Sequence, residues 1–215
     1  MAGMGSGEAV DSSKDVIKRG IDLALSIGGG LCLLPFLLLI ALVVGIDNKG
    51  NVIFAHRRIG KGGREFKCYK FQTMIPDAQE ALEKYLSSNR QAKKEWKENF
   101  KLMNDPRVTK LGSFLRRTSL DEIPQLWNVI KGDMSLVGPR PIVAKEIKYY
   151  GKNFKEYAMC KPGITGIWQV NGRSDTTYEE RVAMDTWYAY NRTNMLDLKY
   201  LFKTVKIVFL AKGAY

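Results

Sequence analysis

The chain has 215 residues, enough for one domain with its own hydrophobic core and a small appendage. Hydrophobic residues make up 45% of it, which argues against wholesale disorder, and the net charge of +12 favours an anionic partner such as nucleic acid, phospholipid headgroups or a phosphorylated substrate. The cysteines at 32, 68 and 160 form no CxxC pair, which argues against a zinc site and against a disulfide scaffold. The single histidine, His56, excludes a two-histidine metal site.

The N-terminal part combines a polar tail with a long apolar segment. Residues 1–15 are small and polar, and we expect them to be disordered. Residues 23–46 contain no charge and would reach roughly 36 Å as a straight helix, enough to cross a bilayer. Pro35 at the middle predicts a break or kink, and basic residues on both flanks favour the cytoplasmic side for both ends. We therefore hypothesise a re-entrant membrane helix at 16–46, with an ordinary kinked span as the alternative.

The remaining elements mix short strands with helices. β-prone residues at 52–54 and an alternating pattern at 66–71 predict a small hairpin. Helical patterns follow at 76–103, 111–121 and 143–158, and they return near Tyr178 and Asp197. Together these elements predict an α+β fold that is mainly α-helical, with 47–215 as the cytoplasmic domain.

The last helical stretch interleaves apolar residues with Lys199, Lys203 and Lys206. This pattern is typical of a basic amphipathic helix on an anionic membrane surface, and equally of a core-packed helix with a solvated basic face.

An acidic pair, Asp121 and Glu122, follows Arg116 and Arg117 and is bracketed by apolar residues. A carboxylate in this setting can attack a phosphorus atom, although the same pair is also typical of a solvated helix face. Because a phosphate substrate repels the carboxylate, the attack requires arginines and a divalent cation to neutralise charge. Mg²⁺ suits this role because it takes one or two carboxylates together with phosphate oxygens.

A rigid loop is the second candidate for chemistry. Pro139 and Pro141 fix the backbone on either side of Arg140, which favours a guanidinium held ready for a phosphate or a base edge. A rigid surface turn is the alternative. Cys68 has no plausible base partner, so we expect a structural role for it.

Several segments together resemble the monotopic phosphoglycosyl transferases of the bacterial sugar transferase family. The matching stretches are 18–22 (KRGID), 69–74 (YKFQTM), 115–141 with SLDEIPQLWNVIKGDMSLVGPRP, 161–166 (KPGITG), 169–173 (QVNGR) and 196–204. The resemblance runs from about residue 15 to the C-terminus, and the block ending in the Pro-Arg-Pro loop is highly specific.

The resemblance implies a reaction and a place for it. The chain would transfer a hexose-1-phosphate, with galactose or glucose as the sugar, from a UDP-sugar to undecaprenyl phosphate and release UMP. The active site would lie at the cytoplasmic face of the bacterial inner membrane, beside anionic lipid, at the first membrane step of polysaccharide, O-antigen or capsule assembly. Nucleic acid is not an expected partner, and the oligomeric state, including a homo-oligomer, stays open.

The resemblance also implies roles for particular residues. Asp121 would be the nucleophile that forms a covalent phospho-sugar intermediate, and Glu122 would be the second acid, with Mg²⁺ held by both. Arg140, between Pro139 and Pro141, would contact the nucleotide. The further substrate-binding residues implied are Arg116, Lys70 and Arg173. Gln72 stands where the family usually has a basic residue, so a phosphate contact is not expected there.

Two rival functions remain open at the level of sequence. A basic, membrane-tethered binding module for lipid or nucleic acid explains the charge and the apolar segment, but not the acidic pair among arginines. A nucleotide-sugar hydrolase would share the first chemical step and use water as the acceptor. Dependence of turnover on polyprenyl phosphate separates that reading from a transferase.

Overall fold

A computed structural model describes residues 12–99, 102–172 and 176–210. Within these residues the helices are α1 Ser12–Asp47, α2 Ala78–Ser88, α3 Arg90–Asn99, α4 Lys110–Thr118, α5 Gln125–Lys131, α6 Ile147–Tyr150, α7 Phe154–Met159, α8 Ile167–Asn171, α9 Tyr178–Asn191 and α10 Asn194–Leu210. The strands are β1 Ile53–Ile59, β2 Glu65–Phe71, β3 Ser135–Val137 and β4 Gly163–Thr165. The predicted α+β class, mainly helical, is confirmed.

Helix α1 contains the apolar segment and runs without interruption through Pro35. Its Asp15–Asp47 portion is, among the described residues, the one helix long and apolar enough to cross a membrane by length and composition. Proline removes one backbone hydrogen bond, but a long helix can accommodate it by bending locally. The break or kink predicted at Pro35 therefore does not divide α1 into two helices. The helix begins at Ser12, inside the predicted tail, and residues 1–11 lie outside the described part of the chain.

The N-terminal third of α1 is fastened to the globular part by polar contacts. The two terminal nitrogens of Arg19 donate to the carbonyl oxygens of Val129 and Ile130 at 2.5 and 2.8 Å, at the C-terminal end of α5. The buried Asp22 carboxylate accepts a 3.1 Å hydrogen bond from the Leu136 amide of β3. The charged start of the apolar helix is therefore integrated into the domain.

The C-terminal third of α1 packs against the same globular part through apolar contacts. Ile40 and Val44 are buried in one cluster with Phe71 at the end of β2 and Leu115 of α4. Between the two docked thirds, large apolar side chains such as Leu31 at 66% exposure face outward. Both ends of α1 thus contact one body, and its uncovered middle is the part suited to lipid.

Strands β1 and β2 form the predicted hairpin. They are antiparallel, with Ile53 opposite Phe71 and Ile59 opposite Glu65, so the first strand is longer than the sequence pattern indicated. The Gly-rich segment Lys61–Gly63 forms a short 3-10 turn between them. Cys68 on β2 is buried in the main core cluster, as expected for a structural residue.

The stretch predicted as one helix over 76–103 is two helices. Asn89, between α2 and α3, is extended, and its side-chain oxygen accepts a 2.9 Å hydrogen bond from the Ala92 amide. This hydrogen bond supplies a partner for an otherwise free amide in the first turn of α3. The cap therefore favours the start of a new helix after Asn89. Leu82, Ala92 and Leu102 close a small separate core over the pair.

A parallel pair of three-residue strands, β3 and β4, was not predicted. Ser135 lies opposite Gly163 and Val137 opposite Thr165. Strands this short have too few residues to show a period of two, so their sequences carry no strand signal. The pair lies in the main core beside α5, α9 and α10 and holds the loop that begins at Gly138.

A buried carboxyl group connects α6 with α9. Asp185 is 1% exposed, and its Oδ2 accepts a 2.7 Å hydrogen bond from the Tyr150 hydroxyl. Burial raises the pKa of Asp185 from 3.8 to about 7, although the Tyr150 hydrogen bond and the charges of Arg140 and Arg181 act in the opposite direction. Between about pH 4 and pH 7 the folded protein therefore binds a proton that the unfolded chain has released. The contribution of Asp185 to the free energy of unfolding falls as pH rises through this window.

We predict that Asp185→Asn weakens the dependence of stability on pH. Asparagine keeps an acceptor for Tyr150 but does not titrate, and each pKa unit is worth about 1.4 kcal/mol. Melting temperatures measured in detergent from pH 5 to pH 8 should fall less steeply for Asp185→Asn than for wild type. The exposed Asp77→Asn variant serves as the control. Parallel curves for wild type and Asp185→Asn would contradict the shifted pKa.

Candidate active site

The acidic pair lies in a tight turn between α4 and α5. Ser119 has a left-handed backbone, with φ of 58° and ψ of 16°, and Leu120–Glu122 form one 3-10 turn. A non-glycine residue in this conformation is uncommon and costs on the order of 1 kcal/mol, and such residues cluster at functional sites. The turn brings Asp121 and Glu122 to the end of β2, where Lys70 lies.

One ammonium group joins the two acids. Lys70 Nζ lies 2.6 Å from Glu122 Oε1 and 3.5 Å from Asp121 Oδ2. Asp121 is buried, whereas Lys70 and Glu122 are partly exposed. Lys70 and the acidic pair, which belong to two separate motifs in the sequence, therefore form one charged cluster.

The pKa values of the two carboxyl groups are shifted in opposite directions. Burial raises the pKa of Asp121, assisted by the charge of Glu122 and opposed by Lys70 and Arg116. Burial also acts to raise the pKa of Glu122, but the charge and hydrogen bond of Lys70 outweigh it, with help from Arg140, and the pKa is lowered. Glu122 is thus the more firmly ionised partner, and Asp121 is the more basic carboxylate.

Arg116 is positioned by close packing of α4 on the end of the hairpin. A Cβ atom at Gly112 would lie 2.1 Å from the Thr73 carbonyl oxygen, so only glycine permits this approach. One turn later the Arg116 Nε donates a 3.0 Å hydrogen bond to Thr73 Oγ1. The guanidinium is then close enough to Asp121 for each charge to affect the pKa of the other. Gln72 donates its amide to the Met74 carbonyl oxygen instead of facing an anion.

The Pro-Arg-Pro loop is held by β4 from one side. The Gly138 amide donates to Thr165 O at 3.0 Å, and the Gly163 amide donates to Pro139 O at 2.8 Å. A Cβ at Gly138 would lie 2.3 Å from the Lys161 carbonyl oxygen, so the two backbones can meet only at glycine. The prolines at 139 and 141 are buried and Arg140 is exposed.

The hairpin holds the loop from the other side. Arg58 donates a 3.2 Å hydrogen bond to the Pro141 carbonyl oxygen, and the Ile59 amide donates to Ile142 O at 2.8 Å. The Arg140 guanidinium lies over the Trp168 ring, 5.6 Å from its centroid. Its charge lowers the pKa of Glu122, so the loop belongs to the same electrostatic site as the acidic pair.

Most of the residues predicted for the site therefore converge on one region. Lys70, Asp121 and Glu122 are in direct contact, and Arg116 and Arg140 adjoin them. The functional assignments themselves stay predictions. Arg173 lies outside the described residues.

Sequence reasoning missed three neighbours of the site. Arg58 is one of the basic residues that flank the apolar segment and has no motif of its own, and no motif singles out Trp168 or Arg181. No local sequence pattern reveals these residues, because their contacts form only in the folded chain. Trp168 on α8 lies beneath the guanidiniums of both Arg140 and Arg181.

Asp121 and Glu122 are also the candidates for holding a metal ion. The described residues contain no cluster of three or more histidine, cysteine, aspartate or glutamate side chains. Two hard carboxylate donors nevertheless fit Mg²⁺ when it takes its other ligands from phosphate oxygens and water.

The family model described as bacterial sugar transferase matches residues 13–211. The chain is 47% identical to the UDP-galactose-lipid carrier transferase of Erwinia amylovora and 47% identical to the undecaprenyl-phosphate galactose phosphotransferase of Salmonella typhimurium, in each case over 94% of this chain and 42% of the relative. It is 44% identical to the exopolysaccharide production protein ExoY of Sinorhizobium fredii, over 93% of this chain and 88% of the relative.

The chain thus spans less than half the length of the first two relatives and most of the third. The family match covers nearly the whole sequence, and it includes the acidic turn and the Pro-Arg-Pro loop. This chain belongs to the bacterial sugar transferase family.

Proposed function

We propose that the chain transfers a hexose-1-phosphate from a UDP-hexose to undecaprenyl phosphate and releases UMP. The observation that carries the proposal is the contact of Asp121 and Glu122 with Lys70, beside Arg116 and Arg140. The names of two relatives support galactose as the first sugar to test. Glucose, which the sequence resemblance also implies, is the second. The name of ExoY supports a place in exopolysaccharide production. The first membrane step of that assembly is the place we propose for the chain.

Asp121 is the proposed nucleophile. Its raised pKa makes it the more basic carboxylate, and a more basic group is the stronger nucleophile once ionised. A carboxylate oxygen attacks the phosphorus that carries the hexose, and the bond from that phosphorus to the bridging oxygen breaks. UMP leaves with the bonding electrons, and the phospho-sugar stays on Asp121 as an acyl phosphate.

The second step releases the sugar to the carrier. A phosphate oxygen of undecaprenyl phosphate attacks the same phosphorus, the bond to Asp121 breaks, and the carboxylate is restored. Glu122 holds Lys70 at 2.6 Å, so the ammonium remains beside the reacting phosphate throughout. The guanidiniums of Arg116 and Arg140 offset the negative charge of the phosphates.

We predict that Asp121→Asn loses turnover by roughly 1,000-fold or more, because the amide cannot form the acyl phosphate. Wild type incubated with UDP-galactose alone should gain one phospho-hexose on Asp121 by mass spectrometry, and Asp121→Asn should gain none. Asp77→Asn is the matched control. Turnover at the wild-type level in Asp121→Asn would refute the covalent role, and turnover without undecaprenyl phosphate would indicate a hydrolase.

Mg²⁺ is the proposed cofactor, held by Asp121 and Glu122 together with donor phosphate oxygens. When bound it would neutralise charge on the diphosphate. We predict that EDTA stops UMP release and that added Mg²⁺ restores it. Unchanged turnover in EDTA would show that the arginines and Lys70 suffice.

The docked ends of α1 support a re-entrant membrane topology at the cytoplasmic face. A straight helix from Arg19 to Val44 would measure roughly 37 Å, so a spanning helix would carry one end across the bilayer. Yet Arg19 binds the end of α5, and Val44 packs against Phe71 and Leu115 of the same globular part. Exposed Phe202 and Val205 on α10, with the lysines of that helix, would add a contact to anionic lipid.

We predict that both ends of α1 lie in the cytoplasm. Single cysteines replace Ser12 and Lys49 in a chain whose exposed Cys32 is changed to alanine, while the buried Cys68 and Cys160 stay. A membrane-impermeant thiol reagent should label neither position in intact cells and both after the cells are opened. The Cys32→Ala parent measures the background. Labelling of position 12 alone in intact cells would establish a spanning helix.

A further inference from the structure

A second arginine shares the aromatic platform of Arg140. Arg140 lies 5.6 Å and Arg181 lies 4.5 Å from the centroid of the Trp168 ring. Trp168 is 6% exposed, so the indole is fixed in the fold and holds both guanidiniums by cation–π contact. Arg181, on the first turn of α9, also donates through Nε to Thr176 Oγ1 at 3.1 Å.

Arg58 adds a third positive charge to this group. Burial lowers the pKa of Arg58 and of Arg181, and in each case the charge of Arg140 is the next cause. Arg140 is therefore close enough to Arg58 and to Arg181 to repel each of them. Their backbone and side-chain anchors keep them together despite this repulsion.

Nearby acids offset only part of this charge. Glu146 lies 3.8 Å from Arg58 and also accepts hydrogen bonds from the Val143 amide and the Tyr178 hydroxyl. Asp185 has a pKa raised to about 7 by burial, so near neutral pH it is partly protonated. Burial thus weakens Asp185 as a counter-charge, and a cluster of three guanidiniums is suited to binding an anion.

The arginines adjoin the acidic pair on one side. Arg140 belongs to the loop beside the acidic pair, and its charge lowers the pKa of Glu122. Arg181 shares the Trp168 ring with Arg140. Because Asp121 takes the phosphorus that carries the sugar, the two arginines are left for the other phosphate, which leaves with the nucleoside.

We propose that Arg181 is a second donor-binding arginine, which with Arg140 holds the nucleotide-side phosphate of the UDP-sugar on the Trp168 platform. This role rests on the proposed function for the identity of the donor. It assigns a contact to α9, a helix that carries none of the family motifs noted in the sequence.

The test compares Arg181→Gln and Arg181→Lys with wild type in UMP-release kinetics. Loss of a charge-assisted contact should raise the KM for UDP-galactose about 10- to 100-fold in Arg181→Gln, with the KM for undecaprenyl phosphate unchanged. Arg181→Lys should recover part of the loss. Arg57→Gln is the matched control, because it removes an arginine charge from a side chain that is 80% exposed.

A purely structural role for Arg181 gives a different result. Arg181→Gln would then lower the melting temperature while leaving the donor KM unchanged, or would raise the KM of both substrates alike. Either outcome overturns the proposal.

A binding measurement separates this proposal from the proposed function. Titration calorimetry with UMP and with inorganic pyrophosphate needs no turnover. If wild type binds either anion and Arg181→Gln binds it at least 10-fold more weakly, the anion site stands even where no UMP is released from UDP-hexoses. Equal binding by both proteins overturns the role of Arg181 whatever the reaction proves to be.

Discussion

The Lys70 ammonium lies between two carboxylates on adjacent residues, 2.6 Å from Glu122 and 3.5 Å from Asp121, and the other parts of the site are arranged around this contact. Two neighbouring acids in a partly buried turn repel each other, and a shared cation reduces that cost. Because the cation comes from β2 and the acids from the turn after α4, the contact forms only when hairpin and helices are assembled. The left-handed Ser119 fixes the turn itself.

The second half of the site is a loop clamped between two partners. Backbone hydrogen bonds from β4 hold one edge of the Pro-Arg-Pro loop, and Arg58 with Ile59 holds the other. An exposed arginine normally loses side-chain entropy when it binds a ligand. Trp168 reduces this loss for Arg140 by restricting its guanidinium beforehand.

The sequence predicted those features that leave a local signal. The apolar run appears as α1, the β-prone stretches as the hairpin, and the acidic pair and Pro-Arg-Pro loop lie in one site. Short strands such as β3 and β4 leave no periodic signal, and the split at Asn89 depends on a cap hydrogen bond instead of on hydrophobic pattern. The meeting of Trp168 with two arginines joins residues from separate elements, which a pattern in one stretch of chain cannot reveal.

The docking of α1 has a consequence for how the protein matures. The helix supplies Asp22 as a partner for the Leu136 amide and places Ile40 and Val44 in a core with Phe71 and Leu115. Those core positions are filled only when α1 is in place. Under the proposed topology, completion of this core is therefore coupled to insertion of α1 into the membrane. Helix α1 is part of the core as well as the segment suited to lipid, and a fragment without it would expose the apolar surface that Ile40 and Val44 cover.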